Sequence, residues 1–247
     1  MILCIVQLLL NLNAGKDIVP EDRKCTKDVI AAIEDFQSRV MRAKKPDGRI
    51  DPRGAALKKL AEGVPDVFSE KILRGIMITA YESNIRLYYR PIKQKMNEYE
   101  IDRTKLRMCH FLAQIAHECQ DLLGPEEEAS GEKYEGKEDL GNTEPGDGKR
   151  FKGRGLIHLT GRNNYRDYGE ACGDENKYLT DVAAKLLATD PLTAVDAACW
   201  FWKEHNLNVR ADRDAFMKIT RIINGGYNGL NNRRVKLSRA KFLILGR

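Results

Sequence analysis

Apolar residues recur at three- and four-residue steps along most of the chain, the period of helices that bury one face. In the opening stretch MILCIVQLLLNLNAG, Leu3, Val6, Leu9 and Leu10 share a face, and Gly15 can end the helix. Thr26 is placed to cap a second helix, with Val29, Ile30, Ile33, Phe36, Gln37 and Val40 on one side. KKPDGRIDPRG then turns, and AALKKLAEG predicts a short third helix ended by Gly63. Helical patterning resumes beyond Pro65. Its clearest stripe is Leu106, Cys109, Leu112, Ile115, Ala116 and Cys119, a helix that Asp102 can cap and that delivers His117 and Glu118 at its end. Between Leu123 and Thr160 the period vanishes among glycines and acidic residues, predicting a long loop anchored by Tyr134, Phe151, Leu156, Ile157 and Leu159. Asp190 and Pro191 then start a helix containing Val195, Ala198, Cys199 and Trp202, and a last helix follows INGGYNG.

Length and composition fit one helical domain plus a small module: 247 residues, 42% apolar and 32% charged. The net charge of +6 favours an anionic polymer as partner. No basic run is interleaved with aromatics, so nucleic acid is not expected. The opening apolar run lacks a basic flank and a small-x-small cleavage site, which reads as a helix and not a Sec signal, and it is too short to span a membrane. Six cysteines at 4, 25, 109, 119, 172 and 199 form no C-x-x-C pair and are expected as buried free thiols. His110 and His117 stand about 10.5 Å apart along a helix, at 1.5 Å per residue, and His-Glu here lacks the second His of H-E-x-x-H. Neither a metal nor a cofactor is expected.

A carboxylate at the end of an apolar helix has two readings. Glu118 is either rotated to solvent or partly desolvated with a raised pKa, as a general acid requires. In the acidic run Glu126, Glu127 and Glu128, mutual repulsion favours solvated, ionised carboxylates, which suits a general base and equally suits a plain charge cluster.

Two resemblances sharpen these readings. AIEDFQSRV followed by PDGRIDPRGAALKKL resembles the small peptidoglycan-binding modules of wall hydrolases, although VPEDRKCTKD stands where those modules have a Gly-rich turn. This places a module at 1–62. The blocks FLAQIAHE, GDGKRFKGRGLIHLTGRNNY and RIINGGYNGLNNRR resemble, in order and spacing, the signatures of glycoside hydrolase family 19, over 66–247. That family implies a mainly α, lysozyme-like catalytic domain. It also implies inversion, in which a protonated carboxyl meets the leaving oxygen and a second carboxylate, about 6.5–9.5 Å away, activates water.

By that resemblance Glu118 is the acid, Glu127 the base and Thr160 the hydroxyl that orients the water. Glu126 and Glu128 stay open as neighbours in the same run. His117, His158, Asn164, Tyr165 and Asn224 fall at substrate positions, His158 standing where the family usually has Gln. Arg154 and Arg233 either hold the acidic loop and tune the carboxylates or make structural ion pairs. The implied substrate is a β-1,4-linked polymer containing N-acetylglucosamine: the glycan strands of peptidoglycan, with chitin as the alternative. A non-catalytic wall-binding protein on a hydrolase scaffold is the reading from another class. A wall hydrolase made in the cytoplasm without a Sec signal would reach the periplasm or wall by phage or secretion-system delivery, with an immunity or secretion partner.

Overall fold

The computed structural model describes residues 2–52, 54–62 and 68–246. It forms two compact units, Met1–Ile78 with Ser238–Arg247, and Thr79–Leu237. Both are helical; among the described residues the only pairing of extended backbone is the isolated bridges Glu126–Arg154 and Arg154–Leu159. The mainly α architecture expected from the hydrophobic period is therefore observed.

In the first unit the helices Ile2–Ala14, Lys27–Arg39, Ala55–Glu62 and Glu70–Ile76 bury Val6, Leu9, Val29, Ile33, Phe36 and Leu60. Thr26 caps the second helix, as its sequence suggests. The predicted stripe is too wide: Ile30 and Val40 are 38% and 45% exposed, because Val29, Ile33, Phe36 and Gln37 fill the inner face. The loops are stitched to the helices by buried amides. Gln37 accepts from the backbone N–H groups of Asp47 and Gly48 and donates to the Arg49 carbonyl. Asn11 accepts in the same way from Ile18 and Val19 and donates to the Val19 carbonyl. Each amide thus pairs several loop N–H and carbonyl groups at once, and those of Val19 are buried. Gly75 is required by packing, since a Cβ there would lie 2.5 Å from Leu8 and 2.7 Å from Leu243. The helix end expected at Gly63, and the start expected at Pro65, lie outside the described residues.

The second unit is built from Glu82–Glu98, Lys105–Glu118, Arg162–Ala171, Asp181–Thr189, Pro191–Glu204, Leu207–Asp212, Phe216–Asn224 and the first half of Leu230–Leu245. Thr104, not Asp102, caps the helix that ends at Glu118, accepting from the Arg107 N–H. Asp102 lies too early, in the short turn Ile101–Arg103, where it accepts from Asn97. Phe111 meets Trp202 edge-on at 5.4 Å, and the Trp202 indole donates to Asn208. Phe151, Leu159, Tyr165, Tyr168 and Leu187 form one core cluster, so the long loop is anchored by residues the sequence singled out. Within it, buried Asp147 pairs with Arg162 at 2.6 Å, and Glu135 accepts from the N–H groups of Gly146 and Gly148. All six cysteines are free, but only Cys109, Cys119 and Cys199 are buried; Cys25 is exposed.

Directly after Glu118 the chain makes an unusual turn. Gln120, Asp121 and Leu122 have φ of 50°, 58° and 68°, three successive non-glycine residues in the left-handed region, each costing about 1–2 kcal/mol. Partners fix them there. The Asp121 N–H donates to the Ala116 carbonyl, and the Asp121 carboxylate accepts from the Thr79 hydroxyl at 2.6 Å and from the Thr79 N–H. It also pairs with Lys236, and Asn84 holds the Leu122 carbonyl. Asp121 is 2% exposed. Asp121→Ala would leave the largely buried Lys236 ammonium without its counter-ion, and stability should fall by about 3–5 kcal/mol. Urea denaturation of the two proteins measures it, with retained midpoint and slope as the contrary result.

Candidate active site

Two carboxylates, at positions 118 and 127, stand on either side of that turn in different surroundings. Glu118 closes the helix Lys105–Glu118 with its side chain 14% exposed, and Oε1 lies 2.5 Å from Nη2 of Arg233, itself fully buried. The pair is an ionic contact whose geometry makes no hydrogen bond. Arg233 is aimed by Gln114, one helical turn before Glu118, which accepts from Nη1 at 2.6 Å and donates to the Thr220 hydroxyl at 3.1 Å. The Arg233 Nε donates to the Asn228 carbonyl. The carboxyl at the end of an apolar helix thus meets the guanidinium of Arg233, one of the two arginines that the resemblance offered as tuning the carboxylates or pairing with them. His117 donates its Nδ1 proton to the Asn232 side-chain oxygen at 2.8 Å. Its ring lies against Gly229, at φ 69°, where a Cβ would come within 2.3 Å of the ring. Burial lowers the His117 pKa, Asn232 opposes this and Arg233 adds to the lowering, so the ring is neutral near pH 7.

The acidic run separates into three environments. Glu126 pairs with Arg154 at 2.9 Å and lies 3.5 Å from Lys152; Glu128 is exposed. Glu127 turns inward. Oε1 takes Lys133 Nζ at 2.6 Å and the Tyr134 hydroxyl at 3.2 Å, and Oε2 takes the Gly153 N–H at 3.3 Å. Burial would raise this carboxyl's pKa, but the bonds from Lys133, Tyr134 and Gly153 together outweigh it and hold the pKa below the ordinary carboxylate value. A Cβ built on Gly153 would stand 3.3 Å from Glu127 Oε2 and 3.3 Å from Thr160 Oγ1. The His158 Cβ is nearer still, at 3.0 Å, so the two oxygens converge beside a residue where the crowding leaves no room for a side chain.

The remaining predicted residues mostly support this loop. Thr160 donates its hydroxyl proton to the His158 carbonyl at 2.8 Å. His158, at φ 53°, places Nε2 2.9 Å from the Gly124 carbonyl and so joins the two limbs of the loop. Asn164 spends its amide N–H on the Thr160 carbonyl at 2.7 Å, and Asn224 accepts from the Asn228 N–H. Tyr165 is fully buried, against Phe151 at 5.2 Å, with its hydroxyl on the Lys152 carbonyl. A sugar contact is closed to it in this arrangement; it braces the segment that carries Lys152 and Arg154. Arg154 is 4% exposed and its Nη1 holds the Arg150 carbonyl at 2.5 Å. Gln114, Asn232, Lys133, Tyr134 and Gly153 are residues that the sequence did not single out for the site. The four-residue step from Gln114 to Glu118 is the one available signal, since it places both on one helix face. Among the described residues no group of three His, Cys, Asp or Glu side chains is arranged to hold a metal.

Known proteins share this arrangement of helices. The family profile described as chitinase class I matches residues 100–215. A glycosyl hydrolase family 19 domain-containing protein of Haemophilus influenzae is 30% identical over 167 residues, covering 55% of this chain and 78% of that protein. An endochitinase of Arabidopsis thaliana is 37% identical over 134 residues, covering 54% of this chain and 44% of the plant protein. The chain thus spans less than half the length of that plant relative. The crystal structure of chitinase C from Streptomyces griseus superposes with a TM-score of 0.57 at 21% identity, over 71% of this chain and 76% of that one, which establishes a common fold. With a helix that ends on a carboxyl, an inward carboxylate on the following loop and a bacterial relative matched over most of its length, the chain belongs to glycoside hydrolase family 19.

Proposed function

We propose that this glycoside hydrolase cleaves the β-1,4 bonds of peptidoglycan glycan strands by inversion, with Glu118 as general acid, Glu127 as general base and Thr160 as the partner of the attacking water. The observation that carries the reading is the convergence of Glu127 Oε2 and Thr160 Oγ1 on the space beside Gly153, each 3.3 Å from where a Cβ of that residue would stand. Thr160 has already committed its proton to the His158 carbonyl, so it faces that space as an acceptor. A water there donates one hydrogen to Glu127 and the other to Thr160, leaving a lone pair for the anomeric carbon. Glu127, held ionised by its three donors, takes the proton as the bond forms. Glu118 takes up a proton before each turnover and gives it to the leaving oxygen, and Arg233, which favours the ionised form, stabilises the carboxylate produced.

Peptidoglycan is preferred to chitin because of the +6 charge, the bacterial relative and the likeness of residues 1–62 to wall-binding modules. Chitin is the second reading, favoured by relatives named as endochitinases. Delivery to the wall or periplasm by a phage or secretion system belongs to the same proposal.

Mass spectrometry and proton NMR of early digests of purified peptidoglycan and of chitin oligosaccharides test it. Shortened glycan strands with the product in the α configuration are expected; release of stem peptides alone, or retained configuration, would refute the proposed reaction. Glu127→Gln should lower kcat by ~10²-fold or more with the melting temperature kept, and Gly153→Ala, whose methyl would press on His158, Glu127 Oε2 and Thr160 Oγ1, should lower kcat as well. Glu126→Gln should leave the chemistry intact, and near-normal turnover by Glu127→Gln would remove that residue from the mechanism. Lys133→Met removes a donor and a positive charge from Glu127, so the base's pKa should rise. The acid limb of the kcat/KM profile should move to higher pH in that variant, while turnover at neutral pH changes little; an unmoved limb would argue that Glu127 is not the group titrating there.

A further inference from the structure

Behind the segment that positions Glu127 lies an open cavity of about 480 Å³. Its walls carry five cationic side chains, Lys149, Arg150, Lys152, Arg154 and Lys185, against two carboxylates, Glu126 and Asp181. Both carboxylates are already committed: Glu126 to Arg154 at 2.9 Å and Asp181 to Arg150 at 2.7 Å. Lys152 is turned to the carbonyls of Glu127 and Ala129. Lys149 and Lys185 are exposed, and no ion pair joins either to a carboxylate among the described residues. Lys185 does lower the pKa of Asp181, after the larger effect of Arg150, which places it electrostatically at the cavity. Arg150 also lies 3.6 Å from Asp147 and Lys152 3.5 Å from Glu126, so Lys149 and Lys185 are the two wall cations that no carboxylate among the described residues pairs, in a concave surface where like charges repel.

We infer that this cavity is a subsite for the carboxylates of a peptidoglycan stem peptide attached to the glycan strand in the cleft. The inference rests on the proposed peptidoglycan reading and names what distinguishes that substrate from chitin. A chitin chain is uncharged and has nothing to offer the cavity. A stem peptide carries D-glutamyl and terminal carboxylates, three extended residues reach about 10 Å, and Glu126 in the cavity wall is the sequence neighbour of Glu127. The architecture makes the connection short. Glu126 and Glu127 are consecutive on extended backbone whose side chains alternate, so one faces the cavity through Arg154 and the other faces Gly153. Lys152 bonds to the Glu127 carbonyl from the cavity side. Charge capture there would dock the glycan strand without altering the reacting groups.

The test uses the full chain and the exposed pair Lys149→Glu/Lys185→Glu, with Lys149→Ala/Lys185→Ala as a milder second variant. Both are compared on stem-bearing glycan strands and on the same strands stripped of stems by an amidase. KM for stem-bearing strands should rise roughly 10-fold in the charge-reversed protein, the size expected when two partly exposed attractions become repulsions. The kcat, and all constants on stripped strands, should stay unchanged. Equal losses on both substrates, or none on either, would overturn the inference. Titration of the 15N-labelled protein with a synthetic stem tripeptide gives a readout independent of cleavage. Amide shifts confined to residues 146–152 and 185, abolished in the double variant, are expected. Their absence, or their appearance with inorganic phosphate but not with the tripeptide, overturns the carboxylate assignment. Should the wild type cleave chitin oligosaccharides and neither glycan strand, the proposed substrate fails, and the tripeptide titration alone decides the cavity.

Discussion

The loop that carries Glu127 depends on a left-handed turn that would not form without buried charge. Gln120, Asp121 and Leu122 sit in a region that L-residues avoid, and the Asp121 carboxylate holds them there through Thr79 and Lys236. An ordinary helix end would carry the chain onward past Glu118. This turn instead folds it back, so that Glu127 can donate its N–H to the Gly153 carbonyl at 2.9 Å and Gly155 can donate to the Pro125 carbonyl at 2.8 Å. Local strain beside the proposed acid is thus offset by an ion pair remote in sequence, which fits the general pattern of strain stored where function needs geometry.

The two carboxylates are then differentiated by their neighbours. Glu118 meets one cation, Arg233, through its buried Oε1 in an ion pair without a hydrogen bond. Glu127 meets three donors and is held ionised. In the proposed reaction one supplies a proton and the other accepts one, as acid–base pairs in other hydrolytic sites do when their environments differ. Gln114 connects this chemistry to the core: it aims Arg233 from one side and is itself fixed by Thr220. The electrostatics around Glu118 consequently rest on buried side chains that no substrate reaches.

The acidic run serves two faces because extended backbone alternates. Glu126 is consumed in a structural pair with Arg154, while Glu127 faces the space beside Thr160. Arg154 is bound in turn to the Arg150 carbonyl and to Tyr165, whose hydroxyl grips the Lys152 carbonyl. A buried tyrosine at the end of the GDGKRFKGRGLIHLTGRNNY block is therefore a brace for the loop, and part of the basic cavity wall is made of the same short segment that supports the proposed base.

The sequence by itself determined the helical class, since a three- and four-residue hydrophobic period is a local property that tertiary packing rarely overturns. It also determined where the chain must stop being regular, and that Glu118 ends a buried helix. Local caps were legible where the side chain stands at the boundary, as with Thr26 and Asp190, and misread where Asp102 precedes an extra turn before Thr104. Only the tertiary structure decided the electrostatics. Arg233 lies far from Glu118 in sequence and Lys133 is separated from Glu127 by turns with no period, so nothing local announces either pairing. Nor could sequence tell which of three adjacent glutamates turns inward, or that Tyr165 is buried. Those outcomes follow from the left-handed turn at Gln120–Leu122, a conformation that no residue in the segment prefers and that partners distant along the chain impose.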